Sequence, residues 1–385
     1  MPALHITNGQ VLLPHDGLRN TDLALDGGII TGLGAGGSGP VIDATGLLVL
    51  PGIVDIHGDA FERQIQPRPG VAFPVDLALR DTEAQLLANG ITTEFHGITL
   101  SWEPGLRSLD AWRQVVAALA AGTWTCDMRV HLRWEAFNLE ALDQAADDIA
   151  AGHVHLLAFN DHTPSIIKKL KDPVAGAKYS DRAGMKLDAF QALADQVAAR
   201  APEVPAGLDR LATAARSAGI AMASHDDDAL TVREAFRARG AAICEFPIAP
   251  EVGENARAAG EFVVMGCPNV VRGGSHLGWA SAATMAEAGI CNVLASDYFY
   301  PAMARAAMIL AGRGVLDLQA AWALISANPA KAAGLTDRGT IETGKRADVV
   351  LLDPASGGIV ATIAQGRIAY LTSAGAGRLM SPAAH

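Results

Sequence analysis

The chain lacks a surplus of basic residues and any long uninterrupted apolar run, and both absences exclude classes of protein. Among its 385 residues, 30 Lys and Arg stand against 41 Asp and Glu, which gives a net charge of -11. We therefore expect no nucleic-acid partner, because affinity for a phosphate backbone needs a basic face. A small phosphorylated substrate is still compatible with this charge, since it needs only a local cluster of cations.

Cysteines are also scarce, and the four that are present are not paired in the sequence. They lie far apart in apolar runs and form no Cys-x-x-Cys motif: Cys126, Cys244, Cys267 and Cys291. This spacing predicts free thiols in a reducing compartment rather than disulfides or a zinc–thiolate site. Gly, Pro or charged residues interrupt each apolar stretch before it reaches membrane-spanning length. The N-terminus shows no basic region followed by an apolar core, so we expect a cytoplasmic protein without a signal peptide or membrane contact.

Strand-like and helical patterns alternate through the middle of the chain. Eight apolar strand candidates are separated mostly by helical patterns: 53–57, 91–96, 128–134, 154–160, 220–224, 241–246, 262–266 and 292–296. This alternation predicts an α/β fold, a (β/α)₈ TIM-like barrel over residues 53–339. Residues 161–207 form an insertion after the fourth strand, where the Lys168–Lys171 run predicts an exposed, mobile loop.

Both chain ends contain short strand candidates separated by Gly-rich turns. Neither end is long enough to bury a core alone, and half of all residues are apolar. We therefore predict that residues 1–52 and 340–385 combine into one small β-sandwich beside the barrel.

Histidines and acids follow the apolar strand candidates at the points where those strands end. His57 and Asp59 are two residues apart, so on an extended segment both side chains point to the same side. Imidazole nitrogen with carboxylate oxygen favours one or two divalent ions, zinc first, with manganese or iron as alternatives. The candidate ligands are His57, Asp59, Glu135, His162, His225 and Asp297.

Two of these ligands are also our candidate catalytic residues, Asp297 and His225. An aspartate at the end of the last strand can bind metal and accept a proton from the attacking water. Other roles stay open: Asp297 can cap the following helix, and Glu135 can be salt-bridged to its neighbours on the strand. The pattern makes hydrolysis the leading function.

A cation and two glycines follow the seventh strand in Arg272-Gly273-Gly274-Ser275-His276. Glycines let the backbone approach a ligand, and Arg, Ser and His can bind its oxygens, so we predict an anion site here. Arg68 and Arg133 are further candidates for substrate binding. The alternative is a tight turn in which glycine is needed only for its dihedral angles.

Several motifs resemble a known group of enzymes. Leu50–Asp59, together with Gly344–Leu351, is similar to the amidohydrolase superfamily. More specific stretches resemble the alpha-D-ribose 1-methylphosphonate 5-triphosphate diphosphatase family of the carbon–phosphorus lyase pathway: His131–Glu135, Asp161–Pro164, Ala223–Asp227, Glu245–Pro247, Met265–His276 and Ser296–Tyr298. The resemblance implies a metal-dependent barrel flanked by a sandwich, with Glu135 in place of the carbamylated lysine that often bridges two metal ions.

The resemblance also implies a reaction, the hydrolysis of that triphosphate to the 5-phosphate and pyrophosphate. The chain departs from the family after Pro164, where Ser165–Leu170 replaces a run with Arg and Gln, and Lys168 or Lys169 can substitute for the lost cation. One alternative is an amidohydrolase that cleaves an amide or other C–N bond of a small molecule. Another is a non-catalytic barrel subunit, which the retained ligand residues disfavour. Superfamily members are often oligomeric, and a homodimer is compatible with this sequence.

Overall fold

The computed structural model describes residues 3–34, 36, 39–68, 70–274 and 281–380 of the chain. Strands from the two ends enclose a central series of strands that alternate with helices. In chain order the strands are β1 (Leu4–Thr7), β2 (Gln10–Leu13), β3 (Gly17–Asn20), β4 (Leu23–Asp26), β5 (Ile29–Leu33), β6 (Val41–Asp43), β7 (Leu48–Pro51), β8 (Ile53–Gly58), β9 (Ile91–Leu100), β10 (Asp127–Glu135), β11 (Leu156–Asn160), β12 (Ala221–His225), β13 (Ile243–Glu245), β14 (Phe262–Gly266), β15 (Val293–Ala295), β16 (Val349–Leu352), β17 (Ile359–Ala364), β18 (Arg367–Leu371) and β19 (Leu379–Met380).

Strands β8 to β15 form one parallel sheet in which each strand pairs with the next in sequence. The sheet closes where Gly58 bridges to Asp297, at the ends of the first and last strands. Six-residue β8 and ten-residue β9 are buried along their whole length, as expected for parallel strands covered on both faces. The predicted (β/α)₈ barrel is confirmed.

Helices separate the barrel strands along the chain and most of them cover the outside of the barrel, whereas the last packs against β17 and β18. They are α1 (Glu62–Ile65), α2 (Val75–Ala88), α3 (Leu109–Ala121), α4 (Leu142–Ala150), α5 (Thr163–Leu170), α6 (Pro173–Ala183), α7 (Leu187–Ala199), α8 (Val204–Ala218), α9 (Leu230–Ala238), α10 (Pro250–Ala258), α11 (Cys267–Arg272), α12 (Ala282–Glu287), α13 (Ala302–Gly312), α14 (Leu318–Ala323), α15 (Ala327–Ala332) and α16 (Ser373–Ala376). Two short 3₁₀ segments are Leu139–Ala141 and Ala201–Glu203. Within the described part of the chain, none of the helices combines the length and apolar composition needed to span a membrane.

Helix α3 shows how the sequence positions these elements. The Ser108 side chain accepts a hydrogen bond from the backbone N–H of Ala111 and caps the first turn. Trp112, Val115 and Leu119 recur at helical spacing and are buried against the barrel. The helix therefore buries one face and starts at a residue that the sequence specifies.

The strands of the chain ends form two further sheets. Their orders are β19-β6-β1-β4-β5 and β18-β17-β16-β7-β2-β3. Antiparallel pairing of β16 with β7 and of β19 with β6 joins the two chain ends. A separate core packs between these sheets and includes Ile6, Leu25 and Val349. All of these strands lie within 1–52 and 340–385, and the division from a barrel at 53–339 stays our proposal.

The insertion after β11 differs from the exposed loop that we predicted. It consists of the helices α5, α6 and α7, and the first two have proline in their first turn, where the missing N–H costs nothing. Ile166 and Leu170 form a small core with Phe190, whose ring stacks on Trp102 at 5.6 Å. Lys168, Lys169 and Lys171 are exposed on the outside of this packed unit, so the prediction of exposed lysines was right and that of a loop was wrong.

Candidate metal and catalytic centre

The imidazoles and carboxylates at the strand ends meet at the mouth of the barrel. Because all eight strands are parallel, their carboxyl ends lie at the same edge, where barrel enzymes place their active sites. Direct pairing places Glu135 opposite Asn160 and His225 opposite Glu245. Residues that are far apart in sequence thereby become neighbours.

The inner part of the site is centred on Glu245 at the end of β13. One carboxylate oxygen lies 3.0 Å from Nδ1 of His57 and 3.3 Å from Nδ1 of His225, and the other lies 3.9 Å from Nε2 of His131. Burial would raise the pKa of Glu245, but the charges of His57 and His131 and hydrogen bonds from His225 and His57 hold it well below its usual value. Glu245 is therefore a buried carboxylate shared by three imidazoles.

The outer part of the site is built around His162. Its Nδ1 lies 2.6 Å from a Glu135 oxygen, and its backbone N–H donates to the other oxygen at 3.2 Å. Its Nε2 lies 3.5 Å from Asp226, which also approaches Nε2 of His225 at 3.6 Å. Burial lowers the pKa of His162, but hydrogen bonds to Asp226 and Glu135 outweigh it and raise the pKa to about 9. His225 thus contacts both the inner and the outer part.

Arg133 links these groups to Asp59. Its two terminal nitrogens lie 3.2 Å from Asp59 Oδ2 and 3.2 Å from His225 Nε2. The guanidinium, itself buried, therefore places one positive charge among the acids of the barrel mouth. Arg133 belongs to the site, although its role in substrate binding stays a prediction.

Asp297 lies beside the first strand, just after β15. Its backbone N–H donates to the His57 carbonyl at 3.0 Å, and its carbonyl accepts from the N–H of Asp59 at 2.9 Å. Burial, followed by the negative charge of Asp59, raises the pKa of the Asp297 carboxyl to about 7. A carboxyl that titrates near neutrality is suited to accept and release a proton.

Three site residues have left-handed backbone conformations that are rare for residues with side chains. These are Asp226 (φ 56°), Phe246 (φ 50°) and Asp297 (φ 56°), and each follows the end of a barrel strand. Such conformations cost about 1–3 kcal/mol each and cluster at functional sites, where surrounding structure holds them in place. Here they turn the chain sharply where β12, β13 and β15 leave the barrel.

The donor atoms at the barrel mouth fit a divalent metal centre. One potential ligand atom from each of His57, His131 and Glu245 lies within 4.8 Å of the others, and the same holds for His162, His225 and Asp226. Both ring nitrogens of His131 and one oxygen of Glu245 are buried without a hydrogen-bond partner among the described residues. Two adjacent groups of imidazole and carboxylate donors match the ligand chemistry of one or two zinc, manganese or iron ions.

The structure brings all six predicted ligand and catalytic residues into one network of contacts. These are His57, Asp59, Glu135, His162, His225 and Asp297. Arg68 lies apart from them, exposed in the segment between α1 and α2. Whether each residue binds metal stays a prediction.

The predicted anion site lies only partly within the described residues. Arg272 is the exposed last residue of α11, and Gly273 ends that helix with a φ of 83°, a conformation that favours glycine regardless of any ligand. Gly274 completes the turn by donating its N–H to Asn269. Ser275 and His276 lie outside the described residues. The anion-binding role of this segment stays a prediction.

Sequence reasoning missed His131 and Glu245 as members of the site and left Asp226 open. A signal for His131 was present, because His131, Arg133 and Glu135 alternate along β10 and therefore share one face. Glu245 ends its strand as His225 does, but strand β13 has only three residues and a weak pattern.

Asp55 joins the first and last strands directly beneath the site. Its carboxylate accepts hydrogen bonds from the backbone N–H groups of His57 at 3.2 Å and Ser296 at 3.1 Å. A side chain at Gly58 would collide with the neighbouring buried Glu94. Burial raises the pKa of Asp55, and burial together with the negative charge of Asp55 raises the pKa of Glu94 well above its usual value.

Asp55→Ala is expected to destabilise the fold at the closure of the barrel. The substitution leaves two buried N–H groups without an acceptor, which should lower the free energy of unfolding by about 2 kcal/mol or more. Urea denaturation checks this, with Asp147→Ala on the exposed face of α4 as the control. Equal midpoints for the two variants would contradict the role of Asp55.

His96 on β9 is expected to make stability depend on pH. It is buried without a hydrogen-bond partner in the described part of the chain, and burial lowers its pKa from 6.5 to about 3. As the pH falls, His96 is therefore protonated in the unfolded chain before it is protonated in the folded protein. The contribution of His96 to stability falls as the pH drops below 6.5 towards 3. His96→Leu should flatten the dependence by up to about 1.4 kcal/mol per pH unit, measured by urea denaturation at several pH values. Parallel curves for the two proteins would rule this out.

Comparison with known proteins shows the family to which this chain belongs. The model of the amidohydrolase family matches residues 139–375, and the chain belongs to this family. It is 31% identical over 322 residues to the alpha-D-ribose 1-methylphosphonate 5-triphosphate diphosphatase of Escherichia coli (strain K12), covering 80% of this chain and 84% of that protein. The family assignment therefore agrees with the resemblance found in the sequence motifs.

Solved structures support the same fold. N-acetylglucosamine-6-phosphate deacetylase from Pasteurella multocida superposes with a TM-score of 0.62 at 12% identity, covering 99% of this chain and 100% of that one. A triazine hydrolase variant superposes with a TM-score of 0.64 at 14% identity, covering 96% and 94%. At these identities the similarity concerns the fold alone.

Proposed function

We propose that this amidohydrolase-family protein hydrolyses a phosphoanhydride, converting α-D-ribose 1-methylphosphonate 5-triphosphate to its 5-phosphate and pyrophosphate. The observation that carries the proposal is the 31% identity to the Escherichia coli diphosphatase over 80% of this chain. The barrel mouth supplies the buried donor groups and the proton acceptor that such a reaction needs. A cytoplasmic location and a homodimer stay predictions of the sequence.

The proposed metal ligands are the residues predicted from the sequence together with Glu245 and His131. They offer imidazole nitrogens and carboxylate oxygens from six barrel strands and the segments that follow them. When bound, a divalent ion in such a site stabilises charge on phosphoryl oxygens and lowers the pKa of water. Glu245 has a second role in this scheme, because it holds His57 and His225 in fixed orientations.

Asp297 serves as the proton acceptor in the proposed reaction. A water oxygen forms a bond to the attacked phosphorus while the bond from that phosphorus to the α,β-bridging oxygen breaks. One water proton passes to Asp297, and the leaving oxygen takes the electron pair of the broken bond. Arg133, between Asp59 and His225, places a positive charge where negative charge develops.

The direct test is phosphorus NMR of the zinc- or manganese-loaded protein with the ribose triphosphate. We expect release of pyrophosphate, and loss of that release on chelation and its return on adding metal back. Cyclic ureides and N-acyl amino acids assayed in parallel test the C–N hydrolase alternative. Full metal occupancy without pyrophosphate release would reject the proposed substrate, and turnover of an amide would replace it.

A further inference from the structure

A cationic cavity of about 440 Å³ lies beside the metal centre, at the same end of the barrel. Three segments line it: α1 with the residues that follow it, the loop after β9, and helix α6 of the insertion. All three follow the carboxyl ends of barrel strands, so the cavity opens at the mouth. The cations that line it are Arg63, Arg68, Arg107 and Lys178, and the acids are Glu62, Glu103 and Asp181.

Short covalent and hydrogen-bonded connections join this cavity to the catalytic centre. The N–H of Glu62 donates to the Asp59 carbonyl at 3.1 Å. Arg63 donates to the carbonyl of Tyr298, the residue after Asp297. The cavity therefore borders both ends of the strand junction that holds the proposed ligands Asp59 and Asp297.

The cations of this cavity differ in whether a carboxylate pairs with them. Arg107 is bound to Glu62 at 3.2 Å. Burial lowers the pKa of Arg107, but Glu62, Glu103 and Asp59 outweigh it and raise the pKa further above its usual value. Arg68 and Lys178 are exposed, and neither lies within salt-bridge distance of a carboxylate among the described residues. These two cations are available to an anionic ligand.

We propose that this cavity binds the pyrophosphate portion of the substrate, with Arg68 and Lys178 as its outer contacts. The inference rests on the function proposed above. Cleavage between the α- and β-phosphorus atoms releases the β- and γ-phosphoryl groups as pyrophosphate. These two groups are highly anionic, so they must lie next to the metal centre but outside its ring of acids. Among the described cavities, this one borders that centre, and several cations line it.

The proposal also identifies the cation that compensates for the altered insertion. From the sequence, Lys168 or Lys169 was expected to replace the missing arginine after Pro164. Both are exposed on α5 and neither lines the cavity, whereas Lys178 enters it from α6. The small core of Ile166, Leu170 and Phe190 fixes α5 against α7, with α6 packed against both.

The test measures inorganic pyrophosphate binding to the metal-loaded protein by calorimetry, for wild type, Lys178→Ala, Arg68→Ala and the double variant. Each single variant should weaken pyrophosphate binding about 10-fold or more, the loss expected for a hydrogen bond to a charged group. Lys171→Ala is the matched control, because Lys171 is an exposed lysine of the same insertion outside the cavity. Metal content and thermal unfolding of each variant should equal those of the wild type.

Kinetics with the ribose triphosphate give a second readout. We expect both variants to raise KM and to weaken product inhibition by pyrophosphate, with a smaller change in kcat. Wild-type affinity in both variants, an equal loss in Lys171→Ala, or no pyrophosphate binding by the wild type would overturn the proposal. If pyrophosphate binds through Arg68 and Lys178 but the ribose triphosphate is not cleaved, the cavity assignment stands and the proposed substrate fails.

Discussion

Asp297→Asn should reduce hydrolysis by about 100- to 10,000-fold, the range expected for loss of a positioned general base. Burial, followed by the negative charge of Asp59, raises the pKa of the Asp297 carboxyl to about 7, whereas an amide accepts no proton at that pH. The amide has nearly the same shape, and the backbone hydrogen bonds of residue 297 to His57 and Asp59 need no side chain. The fold should therefore persist.

The measurement is kcat with metal content determined on the same sample. Asp228→Asn is the matched control, because Asp228 is an exposed acid just beyond β12 at the same end of the barrel. Turnover close to wild type in a fully metal-loaded Asp297→Asn protein would remove Asp297 from the proposed reaction. Loss of metal together with activity would instead assign it mainly as a ligand.

Glu245→Gln should lower metal affinity by about 10- to 100-fold even if Glu245 only orients the ligands, and further if it binds the ion itself. The ionised carboxylate lies 3.0 Å from His57 and 3.3 Å from His225 in a fully buried position. A neutral amide keeps the volume but loses the charge that stabilises a cation. Hydrolysis should fall in parallel with metal occupancy.

Metal titration by calorimetry separates this effect from a general loss of stability. Asp148→Asn is the control, because Asp148 is a buried carboxylate that binds Trp112 and His153 on the outside of the barrel. It should unfold at lower temperature while keeping wild-type metal affinity. Unchanged metal affinity in Glu245→Gln would exclude Glu245 from the metal centre.

The architecture was predictable because strand-like segments alternate with helical patterns through the middle of the chain. β8 and β9 are buried at every position, so neither strand shows a polar face towards solvent, although both contain buried polar residues such as Asp55 and Glu94. His57, Glu135 and His225 were chosen as candidates because they stand where such segments end, and the structure places all three at the carboxyl ends of their strands, with His57 and Glu135 buried. The insertion was harder, because Lys168 and Lys169 of α5 are exposed while Ile166 and Leu170 of the same helix pack inside.

Residues of the site were harder to predict where they depend on contacts between distant strands. Glu245 ends a three-residue strand, and only the pairing of β13 with β12 places it opposite His225. The choice between a salt-bridged and a ligating Glu135 also depended on its neighbours, and the structure pairs Glu135 with His162 rather than with Arg133.

The sequence by itself determined the alternation of strands and helices, the pairing of both chain ends in the flanking sheets, and the edge of the barrel at which the candidate ligands lie. These features follow from local apolar patterns and from the rule that parallel strands end together. Only the tertiary structure decided that Glu245 lies among three imidazoles, that Arg133 lies between Asp59 and His225, and that Lys178 and Arg68 line the same cavity. These contacts join segments far apart in the chain, and they depend on barrel closure and helix packing, which no local pattern encodes.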